Sequence, residues 1–157
     1  MKNNSTVAHH QNFMAKALLL AEQAYDNDEV PVGAVVVHDG LIIGKGYNQV
    51  EQLNDSTAHA EMIAISAAFE YLNSKYLKNC TLYVTLEPCP MCAGALVWSK
   101  IDRIVFGAMD AGAGACGSVF NIARNKKLNH RIEIIQGILE QDSEILLKSF
   151  FLNKRKP

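Results

Sequence analysis

Three residues of the sequence, His59, Cys89 and Cys92, have the types and spacing that bind a transition metal. The two cysteines are three positions apart, so one helical turn places both sulfurs on the same face, where they can chelate a single ion. His59 can supply a third ligand. Two thiolates and one imidazole leave a tetrahedral zinc ion with an open fourth position, which is typical of a catalytic rather than a structural site. The pattern therefore predicts a catalytic zinc site.

A carboxylate accompanies these ligands. Glu61 follows His59 by two positions and is not needed as a ligand. Zinc lowers the pKa of a bound water toward neutrality, and a carboxylate facing that water can accept its proton and pass it to a ring nitrogen and then to departing ammonia. We therefore predict that Glu61 is the proton shuttle for water attack at an amidine-like carbon.

The cysteine pair has two other possible interpretations. A Cys-x-x-Cys pair can be a redox site, but redox chemistry explains neither His59 nor Glu61. A structural zinc would need a fourth protein ligand, for which Cys80 or Cys116 is available. We expect Cys80 to be buried in a strand and Cys116 to be a loop thiol, which favours the open, catalytic site.

The whole-chain composition suits one globular domain over residues 1–157, ending in a basic helix and tail at about 139–157. The 157 residues are 49% hydrophobic and 20% charged, enough for a sizeable core. Four cysteines are too few for a disulfide framework. The sequence has neither a long apolar run nor an apolar leader, so we expect a cytoplasmic protein without membrane association.

The net charge of −1 conceals an asymmetry along the chain. Residues 1–110 contain 12 acidic and 7 basic residues, whereas residues 111–157 contain 4 acidic and 8 basic ones. The C-terminal third is therefore basic, which indicates a polyanionic partner or a solvated surface. Its cations form two acid-free stretches: Arg124, Lys126, Lys127 and Arg131, then Lys148, Lys154, Arg155 and Lys156.

Periodicity and turn residues place the reactive side chains at the starts of helices that follow strands. The spacing predicts a mixed sheet with helices on both faces and a ligand site at the carboxyl ends of the strands. There the positive helix termini would lower the pKa values of both thiols. The hairpin turn is expected at Asp39-Gly40, and the N-cap of the second helix at Ser56 or Thr57. The predicted helices are 10–27, 58–72, 91–100 and 139–153; the strands are 32–37, 41–46, 81–86, 103–107 and 132–135; the loops include 51–56 and 107–117.

The reactive motifs resemble those of the cytidine and deoxycytidylate deaminase superfamily. His59-Ala60-Glu61 and Pro88-Cys89-Pro90-Met91-Cys92 carry this resemblance. Nearly the whole chain is also similar to the bacterial tRNA-specific adenosine deaminases. That second likeness lies in Glu29 to Ala34, Thr57 to Glu61, Thr81 to Cys89, Val105 to Ala108, Asn129 to Arg131 and Phe150-Phe151.

The resemblance implies a three-layer α/β/α fold, with a five-stranded mixed sheet between helices. It implies conversion of adenosine to inosine at the wobble position of a tRNA anticodon stem-loop, in a homodimer with one Zn²⁺ per subunit and no DNA substrate. Matched to the family's motifs, His59, Cys89 and Cys92 are the zinc ligands and Glu61 the proton shuttle. The base pocket is implied at Val30, Pro31 and Asn48, and the anticodon-loop contacts at Asp110, Asn129, His130, Phe151 and Lys154.

Two alternatives remain open from the sequence. Pro90 between the cysteines also resembles guanine deaminases, so a guanine or free-nucleoside deaminase with the same zinc chemistry is the second hypothesis. An RNA-binding module with a closed, structural zinc site is the third.

Overall fold

The computed structural model describes residues 2–155, and the side chains of residues 5–154. Lys156 and the side chain of Arg155, in the predicted basic tail, lie outside the described residues. Within the described part of the chain, no helix combines the length and apolar character needed to cross a membrane. The elements in chain order are α1 (Lys2–Asp26), β1 (Gly33–His38), β2 (Leu41–Tyr47), α2 (Val50–Leu53), α3 (Ala60–Leu72), β3 (Cys80–Leu86), α4 (Pro90–Ser99), β4 (Arg103–Ala108), β5 (Glu133–Gln136) and α5 (Glu140–Arg155).

The five strands form one mixed sheet in the order β2-β1-β3-β4-β5. β1 is antiparallel to both β2 and β3, while β3, β4 and β5 run parallel to one another. The carboxyl ends of β3 and β4 therefore lie at the same edge of the sheet. This edge is where an open α/β sheet places its ligand site.

Helices cover both faces of the sheet, because side chains alternate between the faces along each strand. On one face, Val35 and Tyr83 pack with Phe13 and Met14 of α1, and α5 contacts this side through α1 and β4. On the other face, Leu82 and Val84 belong to a core shared with α3 and α4. The predicted three-layer α/β/α fold is confirmed.

The predicted hairpin is confirmed at Asp39-Gly40. Both residues have positive φ, 50° and 77°, as a type I′ turn requires, and His38 pairs directly with Leu41.

Three predicted boundaries were wrong. α1 begins near residue 2 rather than 10. The predicted loop over residues 51–56 contains the short helix α2. α3 begins at Ala60 with His59 as its N-cap residue, not Ser56 or Thr57. The reason for the last is local: Thr57 donates both its backbone N–H and its hydroxyl to Asp55, at 2.8 and 2.7 Å, and so belongs to the preceding turn.

Candidate metal centre and substrate pocket

The first half of the centre lies at the start of α3. His59 is the N-cap residue, with an extended backbone, and Glu61 is in the first helical turn. Gly46 of β2 sets the position of this turn, because a Cβ there would lie 2.3 Å from the carbonyl oxygen of Ala60. Only glycine allows the strand and the helix start to approach so closely.

The second half lies at the start of α4. Cys89 is the N-cap residue, Pro90 occupies the first helical turn, and Cys92 lies inside the helix. Proline suits this position because it has no N–H to satisfy and its φ is already helical. The two half-sites meet because β3 ends at Leu86, and its chain turns directly into α4 beside the start of α3.

The three side chains have the separations of a tetrahedral zinc site. The Nδ1 atom of His59 is 3.6 Å from the Sγ atoms of both Cys89 and Cys92. Zinc–sulfur and zinc–nitrogen bonds of ordinary length, meeting at a tetrahedral angle, place sulfur and nitrogen about 3.6 Å apart. The donor set and its geometry therefore fit zinc. Within the described part of the chain, the His, Cys, Asp and Glu residues form one cluster with all potential ligand atoms within 4.8 Å, and it contains neither Cys80, Cys116 nor Glu61.

Hydrogen bonding shifts the pKa values of the two cysteine thiols in opposite directions. A hydrogen bond from Cys92 lowers the pKa of Cys89 to about 4, and His59 acts in the same direction. The same bond raises the pKa of Cys92, as does its burial. The prediction that both pKa values are lowered was right for Cys89 and wrong for Cys92, because two closely spaced thiolates repel and one proton stays with the pair. The hydrogen bond to Cys89 raises the pKa of His59.

Glu61 is buried beside these ligands, with 5% of its surface exposed. Burial raises the pKa of its carboxyl group, and the neighbouring Cys89 adds to the effect. A carboxylate with a raised pKa, close to the metal ligands but not one of them, is a better proton acceptor than an exposed carboxylate and can return the proton that it takes.

A cavity of about 820 Å³ opens over the centre. Its lining includes His59, Glu61 and Cys89 of the centre and the apolar residues Val30, Val32 and Leu86. Asn48 also lines it, donating its amide N–H to the Val30 carbonyl at 3.3 Å. The Asn48 side-chain oxygen is buried and has no hydrogen-bond partner among the residues that the structure describes. The cavity thus holds an unused acceptor as well as apolar surface.

The structure brings most, but not all, of the predicted substrate residues to this cavity. Asp110, Phe151 and Lys154 line it. Phe151 is 46% exposed, whereas its neighbour Phe150 is buried. Pro31 is buried and is not among the lining residues.

Asn129 and His130 are not among the residues that line the cavity. The imidazole of His130 contacts the Ile101 carbonyl at 2.6 Å. Ile101 precedes β4, whereas Asp110 follows its carboxyl end. Within one chain, the length of β4 therefore separates His130 from the cavity edge, about 20 Å for a six-residue strand.

Sequence reasoning missed two buried glutamates that fix the walls of the cavity. Glu29 accepts hydrogen bonds from the backbone N–H groups of Glu51 and Gln52, both at 2.8 Å, and so caps α2. Glu87 accepts bonds from the loop after β4. Burial raises the pKa of Glu87, but its hydrogen bonds, led by that from Ser118, hold it below its usual value. A signal for both glutamates was present in the sequence, because each lies in a segment that resembles the tRNA-specific adenosine deaminases.

Comparison with known proteins identifies the family. The model of the "cytidine and deoxycytidylate deaminase zinc-binding region" matches residues 7–108. The chain belongs to this deaminase family. Among its relatives, the tRNA-specific adenosine deaminase of Aquifex aeolicus is 51% identical over 88% of this chain and 91% of its own length. That of Bacillus subtilis is 43% identical over 92% and 89%. The resemblance to the bacterial tRNA-specific adenosine deaminases is therefore confirmed.

Solved structures of the deaminase family share the fold. A structure from a study of A-to-I editing by tRNA:A34 deaminases is 41% identical, with a TM-score of 0.83, over 87% of this chain and 99% of its own. A guanine deaminase from Nitrosomonas europaea is 28% identical, with a TM-score of 0.78, over 89% and 83%. The fold is thus shared by deaminases with different substrates.

Proposed function

We propose that the chain hydrolyses adenosine to inosine at the wobble position of a tRNA anticodon, with zinc held by His59, Cys89 and Cys92. The carrying observation is the three-ligand cluster with a buried, non-ligating Glu61 that lines a large cavity together with His59 and Cys89. The similarity to tRNA-specific adenosine deaminases over most of the chain supports the choice of substrate.

The proposed reaction assigns one task to each group. When bound, zinc supplies the Lewis acidity that makes water a nucleophile at neutral pH. The water oxygen forms a bond to C6 of adenine while Glu61 accepts its proton and delivers it to N1. Glu61 then carries the remaining proton of the added hydroxyl to the exocyclic nitrogen, the C6–N6 bond breaks, ammonia leaves, and C6 becomes the carbonyl of inosine.

The cavity suits a base that has left its stack. Its volume of about 820 Å³ lies within the range of ordinary ligand pockets. Val30 supplies apolar surface for the ring, and the free Asn48 oxygen accepts a hydrogen bond from a donor on the nucleoside. The single-stranded anticodon loop can present an adenine in this way at lower cost than a duplex can.

The mouth of the cavity carries groups for the flanking nucleotides. The half-exposed Phe151 offers a ring on which an adjacent base can stack, and Lys154 offers a cation for a phosphate. Asp110 also lines the cavity, and its carboxylate can accept hydrogen bonds from ribose hydroxyls. For Asn129 and His130 we propose contact with a part of the RNA other than the nucleotide in the cavity. The activity belongs in the cytoplasm, where tRNA is available.

For the proposed homodimer, the best-supported surface is the outer stripe of α4. Met91, Gly94, Ala95 and Trp98 recur at helical spacing, and Trp98 is 79% exposed. A Cβ added at Gly94 would meet nothing within 4 Å, so a second helix could approach there. Trp98→Glu should convert the dimer to a monomer in sedimentation, while Leu19→Glu, an exposed site on α1, should leave it dimeric. A monomeric unaltered protein would contradict the dimer.

The substrate assignment is tested by presenting zinc-loaded protein with an anticodon stem-loop containing adenosine at the wobble position, free adenosine, cytidine and guanine, side by side. Inosine should form in the stem-loop, with little or no conversion of the free compounds. Guanine deamination without RNA editing would instead support the second hypothesis, which the fold shared with the guanine deaminase keeps relevant.

A further inference from the structure

The loop that follows β4 is tied to Glu87 at several points. The Glu87 carboxylate accepts backbone N–H bonds from Asp110, Cys116 and Ser118, at 3.1, 3.0 and 3.1 Å, and a further bond from the Ser118 hydroxyl. Glu87 is only 2% exposed. One buried carboxylate therefore binds both ends of the loop formed by residues 110–118 through hydrogen bonds.

The loop is also shaped to fit this carboxylate. A Cβ at Gly114 would lie 2.4 Å from the Cδ atom of Glu87, so only glycine allows the contact. The Ala115 N–H donates to the Pro88 carbonyl at 2.8 Å, and Ala115 and Cys116 are buried. The small residues of this Gly- and Ala-rich loop therefore pack closely beside Glu87.

The same contacts determine where Asp110 stands. Its Oδ1 atom accepts N–H bonds from Gly112 and Ala113, at 3.0 and 3.1 Å, while its own N–H is held by Glu87. Glu87 precedes the ligand Cys89 by two residues. The hydrogen bonds to Glu87 therefore fix the position of the loop relative to the metal centre.

We propose that Glu87 is a positioning residue that holds the 110–118 loop, and with it the cavity-lining Asp110 and Ala113, in register with the metal ligands, so that the RNA strand is seated correctly. This inference rests on the proposed function. It assigns to Glu87 an effect on substrate binding, transmitted through Asp110, rather than a part in proton transfer or metal binding.

The test is a double-mutant cycle between Glu87→Gln and Asp110→Ala, measured as KM and kcat for the stem-loop. A glutamine has one acceptor oxygen where glutamate has two, so it cannot hold all four donors. We expect Glu87→Gln to raise KM about tenfold with kcat and zinc content nearly unchanged, and to have little further effect in the Asp110→Ala background. Glu70→Gln, on the exposed side of α3, is the matched control and should change neither value.

Hydrogen exchange provides a readout that needs no substrate. Amides of residues 110–118 should lose protection in Glu87→Gln, and in Gly114→Ala, which displaces the carboxylate without changing its charge. If Glu87→Gln fails to fold, Gly114→Ala carries the same cycle with Asp110→Ala. An unchanged KM, additive effects in the cycle, or unchanged exchange would each overturn the inference. A wild-type protein that edits no RNA would overturn the proposed function instead, while exchange would still decide whether Glu87 holds the loop.

Discussion

At the scale of residues, the metal centre could be predicted because its chemistry is local. Cys89 and Cys92 come together through one helical turn, and Glu61 follows His59 by two positions, so spacing alone indicated both half-sites. The split of the cysteine pKa values could not be predicted, since it depends on a hydrogen bond between the two sulfurs.

Glu61→Gln tests the division of roles at this scale. The variant should bind one zinc per chain, because Glu61 is not a ligand, yet lose about two to four orders of magnitude in the rate of inosine formation, because proton transfer is gone. Metal analysis and single-turnover kinetics measure the two effects. His59→Ala is the comparison and should lose the metal as well as the activity; loss of zinc from Glu61→Gln would contradict the shuttle role.

At the scale of elements, the sequence predicted the elements that depend on their own residues and missed the one that depends on a side chain far away in the sequence. The Asp39-Gly40 hairpin follows from the two turn residues alone. α2 was missed because its polar residues resemble a loop and the carboxylate that caps it, Glu29, lies 22 positions earlier than Glu51. The resemblance implies anticodon-loop contacts for Asn129 and His130 but carries no distances, so it could not predict that these two residues are absent from the cavity lining.

Glu29→Gln tests the distant cap of α2. The amide can accept one of the two backbone N–H bonds, leaving the other N–H unpaired, so the free energy of unfolding should fall by about 1–3 kcal/mol. Urea unfolding measures this change. Glu51→Gln removes a charge from the same region without removing a cap, so its free energy of unfolding should fall by less than about 0.5 kcal/mol. An equal loss in both variants would refute the capping role.

Packing of α1 on the sheet gives a pH-dependent prediction. His10 is buried with its Nδ1 atom 2.8 Å from the Tyr83 hydroxyl. Burial, together with Arg103 and His9, lowers its pKa, while Glu133 opposes this. Because the unfolded chain then binds a proton more readily, stability should be full above the ordinary histidine pKa of about 6.5 and fall as pH drops below it.

Urea unfolding from pH 8 to 5 checks this expectation. The decline between pH 6.5 and 5 should be smaller in His10→Gln, whereas His38→Gln, at the far end of β1, should keep it. Parallel curves for the original protein and His10→Gln would show that His10 is not responsible.

At the scale of the whole molecule, the order of elements predicted the fold and the charge asymmetry predicted a basic C-terminal third, whereas individual contacts could not be predicted. The alternation of strands and helices was sufficient to predict a three-layer fold, because few arrangements bury the apolar faces of such elements.

A second cleft lies along β5, lined by Arg124, Lys126 and Arg131. Its one acidic lining residue, Glu133, is paired with Arg103 at 2.9 Å, so the cleft is positive.

This cleft should contribute phosphate contacts to tRNA binding. Replacing Lys126 and Arg131 together by glutamate should weaken binding of the stem-loop and reduce the dependence of log Kd on log salt, because fewer counterions are released. Replacing Lys75 and Lys78, which lie beside Tyr76 after α3, gives the same change in net charge and should leave the slope unaltered. Equal slopes in all three proteins would remove the cleft from the RNA-binding surface.

The central claim is hydrolytic deamination of one adenosine in tRNA by the His59, Cys89, Cys92 and Glu61 centre. Its most direct test is mass spectrometry of an anticodon stem-loop incubated with zinc-loaded protein in ¹⁸O-labelled water. Inosine should form at the wobble position alone, with one labelled oxygen and one ammonia released per conversion, and Glu61→Gln should form it at least about a hundredfold more slowly. An unmodified wobble adenosine, or inosine without the label, would contradict hydrolytic deamination at this centre.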